Sequence, residues 1–192
     1  GRPDIARARR LWRRHQGGFD PARLIFLDES GAKTNLTRLC GRAQRGQRVH
    51  GSTPQSHWQT TTMIGALRLE GSSACVTIEG ATDAEVFRAY VQHALGPTLS
   101  PGDVVIMDNL SPHKSQQTLA LIAQAGAQTL FLPAYSPDLN PIEKMWSKVK
   151  AYLRTAEART QSTLGQAIAL ALARVTRQDA MNWFASCGYS FI

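Results

Sequence analysis

The stretch GDVVIMDN, residues 102–109, is a short apolar run opened by glycine and closed by an acid and an asparagine. It reads as a buried strand. Its neighbours decide what kind of sheet it joins. Ahead of it, Thr82 can cap a helix over about 83–95, where Ala84, Val86, Phe87, Tyr90, Val91 and Leu95 recur near helical spacing. Behind it, KSQQTLALIAQAG (114–126) reads as a helix with glycine at its end, and AQTLFLP (127–133) as another strand. Further upstream, RLIFLDES (23–30) is a buried strand ending in acids. WQTTTMIGALRLEG (58–71) and SSACVTIEG (72–80) are two strands around a Glu-Gly-Ser-Ser turn. The polar, glycine-rich residues 31–57 between them read as loop or irregular hairpin.

The stretch LPAYSPDLNPIEKMWSKVK (132–150) leads from a proline-rich loop into a helix that presents Ile142, Met145, Val149 and Leu153 on one face. Asn140, Pro141 and Glu143 there have the spacing of N-cap, first helical residue and capping-box acid. A last helical region covers about 162–187, and residues 5–15 form a basic helix broken by GGFDP. Three strands followed by helix, strand, helix, strand, helix imply a mixed five-stranded sheet with helices on its faces. The ribonuclease-H-like α/β fold has this order.

The 192 residues suit one domain with a small appendage, and 43% hydrophobic content supports a globular core. A net charge of +8 points to an anionic partner, with nucleic acid ahead of an acidic membrane surface. The first sixteen residues hold six arginines and one aspartate. Three widely spaced cysteines form neither a disulfide framework nor a zinc pattern and fit a reducing cytoplasm. No apolar run reaches membrane length and no signal peptide is visible. The chain does not start with methionine, so the sequence reads as a fragment of something longer.

Three acids stand where elements end or begin. Asp28 ends the first strand, with Glu29 as its competitor. Asp108 ends the fourth, in a pair with Asn109 that also suits a turn. Glu143 opens the helix after the fifth, where it serves a cap or chemistry. Ligands collect at the carboxyl edge of such a sheet. Carboxylates gathered there need a cation, and two hard divalent ions about 4 Å apart suit phosphoryl transfer.

FLDESG (26–31), VVIMDNLSPHK (104–114) and YSPDLNPIEKMWSKVK (135–150) resemble the catalytic blocks of mariner-superfamily transposases of bacterial insertion sequences. GRAQRGQR (41–48) resembles the segment between that family's first two strands, and the resemblance covers about 20–155. It implies a catalytic domain with an Asp-Asp-Glu triad of Asp28, Asp108 and Glu143. The thirty-four residues between the last two are the spacing of that branch. Also implied are two magnesium or manganese ions, cleavage of DNA at terminal inverted repeats, and strand transfer into TA-containing targets. The expected enzyme is a homodimer in the nucleoid of a bacterial cytoplasm. Family members carry helix-turn-helix modules before the core. Residues 1–18 look like the end of a basic linker, with 19–192 as the catalytic domain.

Other roles are open. Asn109 and His113 could support the triad; His113 could bind phosphate, orient an acid or cap a helix. Arg9, Arg10, Arg13, Arg14, Lys150 and Arg154 could meet DNA phosphates. Tyr135 and Trp146 read as core or rim. Competing functions are another ribonuclease-H-like nuclease, such as a hybrid nuclease or resolvase, and a non-catalytic DNA-binding module derived from a transposase.

Overall fold

The computed structural model describes residues 2–55, 57–110 and 112–189. Ser111 of the second motif, Ser56 of the long loop and the last three residues of the expected domain lie outside them. Helix α1 (Pro3–His15) precedes strands β1 (Leu24–Lys33), β2 (Thr60–Arg68) and β3 (Gly71–Glu79). Then come α2 (Ala84–Tyr90), β4 (Val104–Met107), α3 (Gln116–Gln124) and β5 (Gln128–Phe131). Helices α4 (Ile142–Ala156), α5 (Gln161–Leu172) and α6 (Arg177–Ser186) close the chain.

The five strands form one sheet in the order β3-β2-β1-β4-β5. β1 pairs antiparallel with β2, and β2 with β3, while β4 lies parallel to both β1 and β5. This is the mixed sheet expected of a ribonuclease-H-like fold. Side chains alternate across it. Leu24, Phe26, Met63, Leu67 and Ile106 pack against α4, α5 and α6. Ile25, Leu27, Ile64, Val105 and Met107 pack against Phe87, Tyr90 and Ile122 of α2 and α3.

Several local expectations are corrected. Strand β1 does not end at Asp28. Glu29 to Lys33 stay extended because Ile64 to Thr60 of β2 supply ladder partners. The cap of α2 is Asp83, not Thr82: its Oδ1 accepts from the backbone N–H groups of Glu85 and Val86 at 3.0 and 2.9 Å. The region 162–187 is two helices. Capping boxes Thr160/Thr163 and Thr176/Asp179 start each one and set the break between them.

Helix α4 buries Ile142, Met145, Trp146, Val149 and Leu153, one face of a 3.6-residue repeat. It approaches the sheet at Gly65, which stands opposite Asp28 in the β1/β2 ladder. A Cβ on Gly65 would lie 2.7 Å from Cys75 Sγ and 3.1 Å from the Trp146 ring. The missing side chain thus lets α4 settle beside Asp28. Gly65→Ala should lose about 1–3 kcal/mol by overpacking, read as a lower melting temperature with an unchanged far-ultraviolet spectrum. An unshifted melt would contradict the close approach.

Candidate active site

The parallel register places the first two acids. Phe26 pairs with Ile106, and both face the α4 side of the sheet. Two residues further along each strand stand Asp28 and Asp108, on the same face by the period of two. Asp28 Oδ1 accepts from the N–H of Glu29 at 2.8 Å. Burial, then the negative charge of Glu143 and more weakly that of Asp108, push its pKa up to about 7. Asp108 is half-buried, and its Oδ1 accepts from the N–H of Leu110 at 3.0 Å. Burial acts to raise its pKa, but His113, the Leu110 N–H and Lys114 outweigh that and hold it below the usual carboxylate range.

Glu143 lies in the first turn of α4, exposed. The capping box expected around it is absent. Asn140 makes no side-chain cap; its backbone carbonyl accepts from the Glu143 N–H at 3.2 Å. The Asn140 side chain, 4% exposed, instead turns to Asp28, where Nδ2 donates to Oδ2 at 3.4 Å. The contact uses the amide's donor half, which a cap would leave idle, and a carboxylate is the stronger kind of partner for it. The Asn140 Oδ1 is buried with no donor among the described residues.

His113 is 1% exposed and packs on Phe87, with ring centroids 4.3 Å apart. Its Nδ1 lies 2.7 Å from Asp108 Oδ1, out of line for a well-directed N–H bond, so the contact is chiefly one of charge. Its Nε2 lies 3.8 Å from Glu29 Oε1. Burial alone would lower the pKa of this ring, yet the two carboxylates raise it to about 9. Of the roles open to His113, the geometry supports orienting an acid. It also separates Asp28 from Glu29: Asp28 lines the α4-side cleft, while Glu29 pairs with the histidine.

Asp28, Asp108, Asn109, Asn140 and Glu143 line one cavity of about 560 Å³, walled by the loop 132–137 and reached by Arg2. Among the described residues, no three His, Cys, Asp or Glu side chains are set closely enough to hold one metal ion as they stand. The donor chemistry nevertheless fits a hard divalent cation. All three acids offer oxygen, and the pKa of Asp28 is raised by burial first and by the charges of Glu143 and Asp108 after it, a penalty that a bound cation would relieve. Tyr135 is at the rim, 80% exposed with φ +54°, and Trp146 is in the core. Asn140 and the Glu29 contact to His113 were the features sequence reasoning missed. Only the parity of Leu27 and Glu29 against Phe26 and Asp28 hinted at the latter.

The basic residues divide. Arg9 and Arg13 both bind Asp138. Arg10 and Arg14 are exposed, and Lys150 and Arg154 half-exposed; among the described residues none of the four is in an ion pair. No described helix is long and apolar enough to cross a membrane.

Comparison with known proteins places this geometry. No curated protein sequence matches the chain. Among solved structures it is similar to the Mos1 transposase paired-end complex with left transposon end, with a TM-score of 0.75 and 16% identity over 96% of this chain and 57% of that one. It is similar to the Mos1 strand transfer complex at a TM-score of 0.72 and 15% identity, over 96% of this chain and 57% of that one. Against the Mos1 transposase catalytic domain with raltegravir and Mg, the TM-score is 0.61 and the identity 14%, over 98% and 94% of the two chains. The likeness at these identities is one of fold. The chain spans 57% of the Mos1 chain in the paired-end complex. A family model for the DDE superfamily endonuclease matches residues 23–165, from the start of β1 into α5, and the chain belongs to that family.

Proposed function

We propose that the chain is the catalytic domain of a transposase, in which Asp28, Asp108 and Glu143 hold magnesium or manganese, two ions in the full site. The observation that carries this reading is the meeting of three acids from three separate elements on one cavity, in a chain of the DDE endonuclease family. When bound, such ions activate an attacking water or 3′-hydroxyl and stabilise the leaving oxygen. The chain's own side chains prepare the site. His113 keeps Asp108 ionised and in place. Asn140 fixes one oxygen of Asp28. The wall at 132–137 bounds the space for the scissile phosphate.

The substrates are terminal inverted repeats and a TA-containing target; a TA step is easily deformed, which suits insertion there. Two copies of the chain would act together, as a paired-end complex of the Mos1 enzyme suggests by analogy. Residues 19–192 form the catalytic domain and 1–18 the basic segment leading into it. An insertion sequence of a bacterial nucleoid is the setting we infer. The test is manganese-dependent nicking of duplex DNA carrying a mariner-type terminal repeat, beside an RNA–DNA hybrid. Nicking of the repeat alone, abolished by Asp108→Asn, is the expected result. Preference for the hybrid would make the chain a different ribonuclease-H-like nuclease, and no cleavage of either would favour a binding module.

DNA contact by α1 should rest on Arg10 and Arg14, since Arg9 and Arg13 are engaged. Replacing both Arg10 and Arg14 by Gln should weaken binding to all duplexes alike and lower the salt slope by about 2. A titration showing an unchanged slope would remove them from the interface.

A further inference from the structure

Three consecutive residues join the first helix to the acidic cavity. Asp138 accepts from Arg9 Nη1 and Nη2 at 2.8 and 2.7 Å and from Arg13 Nη2 at 2.9 Å. The Leu139 carbonyl accepts from the buried Tyr189 hydroxyl at 2.8 Å, and that hydroxyl accepts from Trp12 Nε1 at 3.0 Å. Asn140 donates to Asp28. Arg9 also donates to the Tyr135 carbonyl at 3.2 Å, on the cavity rim where the backbone is left-handed. Arg2, just before α1, lines the same cavity.

The chemistry of the contact is directional. Arg9 and Arg13 are four residues apart and so share one face of α1. An isolated surface ion pair holds little. A two-pronged arginine–carboxylate contact also fixes orientation, and here a second arginine converges on the same acid. The Arg9 contact, ahead of that from Arg13, holds the Asp138 pKa down at about 2. The Trp12–Tyr189–Leu139 chain, partly buried, fastens the next residue from the other side.

We propose that Asp138, clasped by Arg9 and Arg13, is a positioning residue that couples the docking of α1 to the placement of Asn140 and Asp28. Only its effect on activity rests on the transposase reading. Asp138 does not touch the reacting groups; it fixes the loop whose next residues reach them. Helix α1 also exposes Arg10 and Arg14, so a helix drawn onto DNA pulls on the loop beside the acids.

The test uses the full 192-residue chain. Arg9→Gln with Arg13→Gln alters a helix and is read at a loop more than a hundred positions away. Two quantities are measured. One is hydrogen exchange at the amides of Leu139 and Asn140, which donate to Ser136 and Pro137 carbonyls at 3.0 and 3.1 Å. The other is kcat of manganese-dependent nicking at saturating DNA. Exchange should quicken about tenfold and kcat fall about tenfold. Asp138→Asn should do the same, and the triple variant no more. Asp138→Arg combined with Arg9→Glu and Arg13→Glu should restore protection. Unchanged exchange at these two amides overturns the proposal, as do losses that simply add. A parent chain that nicks nothing defeats the transposase reading, while the exchange measurement still decides the coupling.

Discussion

Glu143→Gln should abolish manganese-dependent strand cleavage while leaving the fold intact. A neutral amide is a far poorer ligand for a hard divalent ion and removes one of the charges that draw it in. The loss should reach about 10³-fold or more, beyond the ~10–100-fold that a supporting residue costs. No cap is sacrificed, because the Glu143 side chain is exposed and makes no hydrogen bond among the described residues. Stability without metal should move the other way. Asp28 has its folded pKa raised to about 7, by burial first and by Glu143 next. A raised carboxyl favours folding when protonated, and the penalty on the folded state grows from the unfolded value near 4 up to about 7. Removing the Glu143 charge therefore raises the melting temperature above neutrality, by about 2–4 °C, and leaves it unchanged near pH 3. Cleavage at the parental rate, on a substrate the parent cuts, would remove Glu143 from the chemistry. A gain in stability confined to acid pH would contradict the charge coupling. Glu70→Gln, exposed at a turn, serves as the control for loss of an acid.

The sheet was legible because its strands are short apolar runs bounded by turn residues, and the helix–strand alternation after residue 80 leaves few topologies. The α4 face was legible for the same reason: Ile142, Met145, Val149 and Leu153 keep a helical period. What failed was local chemistry with two solutions. Thr82 and Asp83 can each cap α2, and only the folded backbone, which brings the Glu85 and Val86 N–H groups to Asp83 Oδ1, chooses Asp83. Asn140 suits a cap by spacing, but its side chain finds an acid 112 positions earlier in the chain. No window of sequence contains that competitor. The arginines of α1 likewise read as free charge until Asp138 is brought beneath two of them. Apart from the family resemblance, Asp28 and Glu29 could be separated only by knowing which face Phe26 and Ile106 share. Strand register supplies that parity, and the sequence alone does not.

Trp146→Ala should have the largest effect on stability. Trp146 is 2% exposed and its ring fills the space left by Gly65, directly across the ladder from Asp28. Deleting a buried ring of this size costs about 3–5 kcal/mol. In a chain of this length that lowers the melting temperature by roughly 6–20 °C. Trp146→Phe should cost much less, because the indole Nε1 is buried without a partner among the described residues and its loss recovers part of the desolvation penalty. The smaller ring should also relieve Gly65→Ala, so the double variant is more stable than the two single losses added together. The position of the tryptophan gives a second readout. It sits three residues after Glu143 on α4, so a loosened ring frees the end of the helix that carries the acid. Leu164→Ala, in the same core but on α5, serves as the comparison. Cleavage measured well below both melting temperatures should fall further for Trp146→Ala than for Leu164→Ala. Equal losses would make Trp146 a core residue without a share in placing Glu143. A Phe variant as unstable as the Ala variant would show that the indole nitrogen, not ring volume, holds α4 to the sheet.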